Sequence, residues 1–297
     1  MPNIVTIFGG NGFLGKSIVS KLLQSDSLIK VVSRALPIET KHSRLTFIQD
    51  DVQNTNSLWR LVRGSTTVIN LVGLLFETPR STFQKVHINA ASELANVAKQ
   101  QGVKNFIHIS ALGVDKAVTS KYATTKYKGE QEVKKHFPEA LILRPSIIFG
   151  SRDNFFNQFA RLSKFLPFLP LIGGGKTKFQ PVYVEDVADV VFHILVEKRI
   201  HSNIIELGGP EEYTFEEILK FILEILDRKR LLLPLPFMLA KILGRFVEVM
   251  PRPFLTADQV ELLKYDNIIA SDTTHLGFKD FAITPQSIKS IVPMYLR

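Results

Sequence analysis

Through the first half of the chain, short apolar runs alternate with stretches of helical period. The runs at 3–8, 28–33, 45–49, 67–72, 104–109 and 140–144 read as strands. Between them, apolar residues recur every three to four positions near 12–25, 54–63, 81–101 and 119–136, which predicts helices. Strands that are apolar throughout, separated by helices, predict a parallel sheet covered on both faces. The expected fold class is therefore α/β, a doubly wound parallel sheet of the Rossmann kind. In such a sheet ligands bind at the carboxyl ends of the strands.

The second half is less regular. Pro167, Pro170 and the run Gly173-Gly174-Gly175 break it into loops. A helix near 185–198 and a strand near 203–207 read as a return to the main sheet, and a further helix is expected near 214–227. The expected division is 1–150 with 178–207 as a dinucleotide-binding domain, and 151–177 with 208–297 as a smaller, mainly helical domain for substrate or partner. Residues 237–250 read as a helix whose polar stripe is only Lys241, Arg245 and Glu248. So narrow a polar face predicts burial on most sides. The alternative is a surface for a membrane or a membrane-bound partner.

Composition narrows the classes. With 45% hydrophobic and 22% charged residues, the chain is an ordinary globular one. It has no cysteine, which excludes disulfide frameworks and Cys-ligated metals and fits a reducing compartment. Its seven histidines form no i,i+3 or i,i+4 pair, so no metal site is expected. The first strand begins by residue 3, leaving no room for a leader, and no long uncharged apolar run predicts a spanning helix. The expected location is cytoplasmic, peripheral on the inner face of the cytoplasmic membrane if residues 237–250 dock there. The net charge of +9 falls wholly within residues 1–150, with 19 basic and 10 acidic residues. No nucleic-acid motif accompanies it, and an anionic dinucleotide needs only a local positive field.

The first turn carries the clearest chemistry. Gly9-Gly10-Asn11-Gly12-Phe13-Leu14-Gly15 stands between the first strand and a helix. Gly9, Gly12 and Gly15 let the backbone turn sharply, and the N–H groups around Phe13 and Leu14 meet a pyrophosphate at a helix N-terminus. Arg34 ends the second strand, where an NAD site usually has an acid. An arginine there favours a 2′-phosphate, hence NADPH over NADH. Asp51, beside Val52, follows the third strand and suits an adenine amino group. Leu71-Val72-Gly73 follows the fourth, where a small residue admits the cofactor.

Ser110 closes the fifth strand, and Tyr122 and Lys126 follow at i and i+4 on one helix face. A free tyrosine titrates near pH ~10, and a neighbouring ammonium lowers that value. Ser110 would orient a carbonyl or hydroxyl and Tyr122 would serve as general acid/base. His87 and His108 read as structural. No Gly-x-Ser-x-Gly elbow points to a hydrolase.

Together, Gly9-x-x-Gly12-x-x-Gly15, Asp51, Asn89, Ser110, Tyr122 and Lys126 resemble the short-chain dehydrogenase/reductase superfamily in its atypical and extended branches. Asn89 is the fourth catalytic candidate that this resemblance supplies. Arg144-Pro145-Ser146-Ile147 resembles the family segment that faces the nicotinamide, which adds Pro145 and Ile147 as cofactor contacts. The segment 180–188 resembles the extended branch's later signature. The stretches 108–113, 144–153 and 233–237 are similar to the dehydrogenase-like accessory subunits of respiratory complex I and their bacterial relatives. That likeness implies a tightly held NADPH in an accessory or assembly protein, with complex I subunits as partners. The alternative is an active NADP-dependent reductase, dehydrogenase or epimerase.

Overall fold

Seven strands form one parallel sheet: β1 (Ile4–Phe8), β2 (Leu28–Ser33), β3 (Leu45–Gln49), β4 (Thr67–Asn70), β5 (Asn105–Ile109), β6 (Leu141–Pro145) and β7 (Ile204–Leu207). The order is β7-β6-β5-β4-β1-β2-β3. The order reverses between β1 and β4, whose register pairs Phe8 with Asn70. The crevice of a doubly wound sheet opens at that switch. The structure is a computed structural model and describes residues 3–36, 42–197, 203–251 and 253–296. The end of the helix expected to reach 198, and one of the seven histidines, lie outside these residues.

Strand residues alternate between two apolar layers. On one face, Val5, Ile7, Ile29 and Val31 meet α1 (Phe13–Leu22) and α6 (Val184–Glu197). On the other, Phe8, Val32, Val68 and Phe106 meet α2 (Thr55–Val62), α3 (Ala91–Gln100) and α4 (Lys121–His136). The helix expected at 81–101 opens with a π-helical turn, Gln84–Ala90. Wide turns of this kind often mark functional sites.

One buried ion cluster locks α4 to the sheet. Arg144 on β6 donates to both oxygens of Glu130 on α4, at 3.0 and 2.7 Å, and to Asp115 at 2.9 Å. Glu206 on β7 lies 3.5 Å away. The guanidinium's planar fork suits this bidentate pairing.

A third apolar core gathers residues between Phe149 and Leu296. It holds α5 (Phe155–Phe165), α7 (Phe215–Ile225), α8 (Phe237–Val247) and α9 (Ala257–Leu262). A parallel ribbon pairs Phe168–Ile172 with Leu231–Leu235. Both α5 and this ribbon fall where the sequence reads as loops or carries no element. The expectation that 237–250 is buried on most sides is overturned. Met238 is 73% exposed and Phe246 75%. The inward face of α8 is Ala240, Gly244 and Val247, small or modest residues four and three apart.

Candidate functional site

The site lies where the glycine loop, the ends of β4 and β5, and the N-terminal half of α4 meet. Gly9 has φ +83°, its N–H bonds Val32 O, and its carbonyl accepts from Gly12 N–H. A Cβ on Gly15 would stand 2.5 Å from Gly10 Cα, so only glycine fits there. Gly12 is the N-cap of α1, and no side chain caps that helix end. Its first N–H groups are therefore left for an anion, and the helix dipole favours one. Phe13 and Leu14 open the helix. The Phe13 ring lies beside Gly150, at the end of the segment that contains Pro145 and Ile147.

The other cofactor candidates flank this loop. Arg34 is exposed beyond β2, and its carbonyl accepts from Gln49. Its guanidinium has no protein partner among the described residues. Asp51 turns its carboxylate back onto the N–H of Gln53 at 3.0 Å, and Val52 is buried in the core. Leu71 and Val72 are half-buried, and Gly73 is exposed. A Cβ on Gly73 would lie 3.9 Å from both Lys126 Nζ and His87 Nε2, so the residue expected to admit the cofactor borders the lysine expected to hold it.

Lys126 is 4% exposed and donates to the carbonyl of Ile109 at 2.6 Å, one residue before Ser110. Burial lowers its ammonium to about 8, partly offset by the charge of Glu130. Ser110 is buried, and its Oγ has no partner. Buried hydroxyls are normally satisfied. An orphaned hydroxyl at the strand end, an uncapped glycine cradle and a buried lysine fit the two ends of a dinucleotide. Such a cofactor supplies hydride chemistry when bound.

Two histidines complete the floor. Leu74 N–H donates to His87 Nε2 at 3.0 Å. The proton of His87 is therefore on Nδ1, which donates to Thr125 Oγ1 at 3.1 Å. Burial, and then the Lys126 charge, push His87 down to about 3, so it is neutral. Asn70 accepts from Val72 N–H, which turns its amide NH₂ toward His108 Nδ1 at 3.2 Å. That leaves the proton of His108 on Nε2, a buried atom without a partner. Burial holds His108 well below its ordinary value.

Tyr122 stacks edge-on against His87, with centroids 5.4 Å apart, and against Phe83 at 5.9 Å. Its phenol does not behave as expected. Burial first, and the Asp258 carboxylate second, push it up to about 12. The ammonium expected to lower it is turned to Ile109 instead. Asn89 does not join the cluster: it is exposed and accepts from Gln84 at 3.0 Å. His87, two residues earlier, is the side chain that this π-turn presents to Lys126.

Asp258 went unread in the sequence. From the first turn of α9 it accepts from Ser120 Oγ, Lys121 N–H and Tyr122 N–H, at 2.9, 2.6 and 2.9 Å. It thus caps α4 from 136 or more residues away, and an acid suits that end of the helix dipole. Only its place after Thr256, in a Thr-x-x-Gln capping box, marks a helix start in the sequence.

Beside this clamp is a cavity of about 370 Å³ between the 76–83 loop and α8–α9, lined in part by Glu77, Phe83, Lys121, Lys241 and Asp258. Among the described residues, no group of three or more His, Asp or Glu is placed to hold a metal ion.

Comparisons with known proteins bear on the family and the fold. The chain is 33% identical to the mouse NADH dehydrogenase [ubiquinone] 1 alpha subcomplex subunit 9, over 97% of this chain and 78% of that protein. It is 31% identical to the 40 kDa subunit of NADH-ubiquinone oxidoreductase from Neurospora crassa, over 98% and 78%. It is 27% identical to a ceramide reductase of Caulobacter vibrioides, over 78% and 74%. In fold it is similar to the dTDP-glucose 4,6-dehydratase DesIV of Streptomyces venezuelae, solved with NAD bound. The TM-score there is 0.75 at 17% identity, covering 99% of this chain and 96% of that one. The NAD dependent epimerase/dehydratase family matches residues 5–208, and the chain belongs to that dinucleotide-binding family.

Proposed function

We propose that this protein holds NADPH and serves as an accessory or assembly protein of a respiratory NADH:ubiquinone oxidoreductase. The observation that carries this reading is the state of Tyr122 and Lys126. A phenol pushed up to about 12 is a poor base at neutral pH, and Lys126 gives one of its three N–H groups to the Ile109 carbonyl instead of to the phenol, leaving two for a bound dinucleotide. A dinucleotide held there ties β4, β5 and α4 together without turning over. Relatedness over nearly the whole chain to the alpha subcomplex subunit 9 proteins supports the accessory role. In this reading residues 1–150 and 178–207 hold the cofactor, while 151–177 and 208–297 face the partner at the inner face of the membrane.

Arg34 would read the 2′-phosphate, because at the end of β2, where an acid would select NADH, its guanidinium has no partner among the described residues. The test is calorimetric titration of wild type and Arg34→Glu with both nucleotides. NADPH affinity is expected to fall roughly tenfold or more, as for losing a charged hydrogen-bonded pair, with NADH affinity unchanged. Equal losses would remove Arg34 from cofactor choice. The accessory role is checked by gentle purification of the membrane NADH dehydrogenase, which must bring this protein with it.

A second reading rests on the unpartnered Ser110 Oγ. Here Ser110 would donate to a substrate carbonyl and Tyr122 would give its oxygen a proton, while the glycine loop and Lys126 would hold the NADPH that would supply the reducing hydride chemistry. The likeness to a ceramide reductase supports an apolar, lipid-borne carbonyl. Turnover by wild type that is lost in Tyr122→Phe would establish this reading. Equal rates would end it.

A further inference from the structure

Helix α8 is built inside out. Its buried residues are Ala240, Gly244 and Val247. A Cβ on Gly244 would stand 2.7 Å from Ala257 N, so α8 sits tightly against α9 through its smallest residues. The large side chains face solvent: Met238, Leu239, Ile242, Leu243 and Phe246 are 73, 50, 46, 40 and 75% exposed. At 100° per residue these five span an arc of about 140°. Because the inward face is locked by backbone contact, the helix cannot roll to hide them.

The apolar surface extends past the helix. In the adjoining ribbon, Leu231 pairs with Phe168, and both are exposed, as are Leu233 and the neighbouring Phe165. Eleven of the nineteen exposed large hydrophobic residues of the described chain lie in 165–168 and 231–250. So large an apolar concentration in two segments that the ribbon joins, with Phe237 packed on Gly173 at its end, marks an interaction surface.

Its charge says what covers it. Arg245 lies at the edge of the apolar arc, and Lys164, Lys229 and Arg230 stand beside Phe165 and Leu231. Against them are Asp227 and Glu248, and the Glu248 carboxylate is taken by the N–H of Ala257. This half of the chain carries no net charge, so the positive rim is local to the apolar face. The face is a helix ridge, not a groove, so it suits a yielding medium. An eleven-residue helix is about 16 Å long, too short to cross a bilayer core of about 30 Å.

We infer that this face docks in the plane of an anionic lipid bilayer. Phe246, Ile242 and Met238 enter the headgroup–acyl boundary, and Arg245 and Lys229 reach the lipid phosphates. The inference does not rest on the cofactor reading. It deepens the accessory reading by naming the surface that meets the membrane, and it would equally bring a lipid-borne substrate to the site.

The experiment is flotation of the purified full chain with vesicles of phosphatidylcholine, alone or doped with phosphatidylglycerol. Wild type is expected to float with the anionic vesicles, less with neutral ones, and less as salt rises. Ile242→Ser with Phe246→Ser is expected to cut vesicle binding by roughly tenfold or more. Because both side chains are already exposed, its urea midpoint is expected to stay at the wild-type value. Arg245→Glu with Lys229→Glu is expected to remove the preference for anionic over neutral vesicles.

Wild type that stays at the bottom of the gradient overturns the proposal, as does equal binding by the double-serine variant. A concentration-dependent dimer that the double-serine variant abolishes gives the face to a second copy and overturns it as well. Failure to co-purify with the respiratory enzyme touches only the accessory reading.

Discussion

Phe106 and Phe246 are one residue type in opposite circumstances. Phe106 on β5 is fully buried and packs tilted against Phe137 with ring centroids 5.5 Å apart, while Phe246 on α8 stands 75% exposed. Both belong to apolar patterns that read correctly as strand and helix. The pattern says which element forms, because it follows the period of the backbone. It does not say what lies against the element. In the sheet the covering layers come from the same chain. Around α8 the described residues leave the apolar arc uncovered.

The largest expected effect tests that contrast directly. Phe106→Ala should cost about 3–5 kcal/mol, the transfer of a buried ring plus the cavity it leaves. Phe246→Ala should change stability by less than about 0.5 kcal/mol, as at an ordinary surface position. Urea denaturation of the two variants decides the matter. A large loss at Phe246 would mean that α8 is packed within the protein, and the comparison would collapse.

Acid should separate the two regions next. In the unfolded chain His87 takes a proton near pH ~6.5. In the fold it does so only near 3. Between those values the unfolded state binds more protons, so stability rises with pH and falls on acidification. The loss from His87 alone is on the order of 2 kcal/mol by about pH 5. Near α8 the opposite kind of group dominates. Hydrogen bonds from Lys241 and Lys264 hold Glu261 down to about 2. Its contribution is full above the unfolded value near ~4.3 and fades only as pH falls from there toward about 2. Hydrogen exchange should therefore show the β4–α4 end loosening before the α8–α9 contact does. His87→Gln should remove its share of the slope. Simultaneous loosening of both would show that the two regions unfold as one.

Most of the sheet was legible because each strand signals itself locally, as an apolar run with a helix after it. The placement of the glycine loop after β1, of Ser110 at the end of β5 and of Tyr122 and Lys126 on α4 was legible for the same reason: it follows from near neighbours in the chain. What was missed depends on distance. The ribbon of Phe168–Ile172 with Leu231–Leu235 joins segments some sixty residues apart, and no local pattern announces it. The π-turn at Gln84–Ala90 shifted the register of its helix. That shift helps explain why His87 faces Lys126 while Asn89 faces solvent. The pattern of residues 237–250 predicts burial because an apolar arc is normally covered. Only the small-residue seam at Ala240 and Gly244 could have shown which side faces in.

Asp258 joins the two regions and gives the smallest effect. Its carboxylate takes the N–H groups of Lys121 and Tyr122 and the hydroxyl of Ser120. Removing it leaves those donors at the start of α4 without their cap. Asp258→Ala should cost about 1–2 kcal/mol, the range for a lost helix cap. It should also bring the Tyr122 phenol down from about 12, since the carboxylate is the second cause of that shift. Burial, the larger cause, stays, so the fall should be partial. The ultraviolet tyrosinate titration of Asp258→Ala, less that of Asp258→Ala with Tyr122→Phe, isolates the group. An unmoved phenol would mean that the α8–α9 side of the molecule holds α4 in place without tuning its chemistry. A shifted one makes the α8–α9 region a regulator of the site around α4, because anything that displaces α9 would then change how readily Tyr122 ionises.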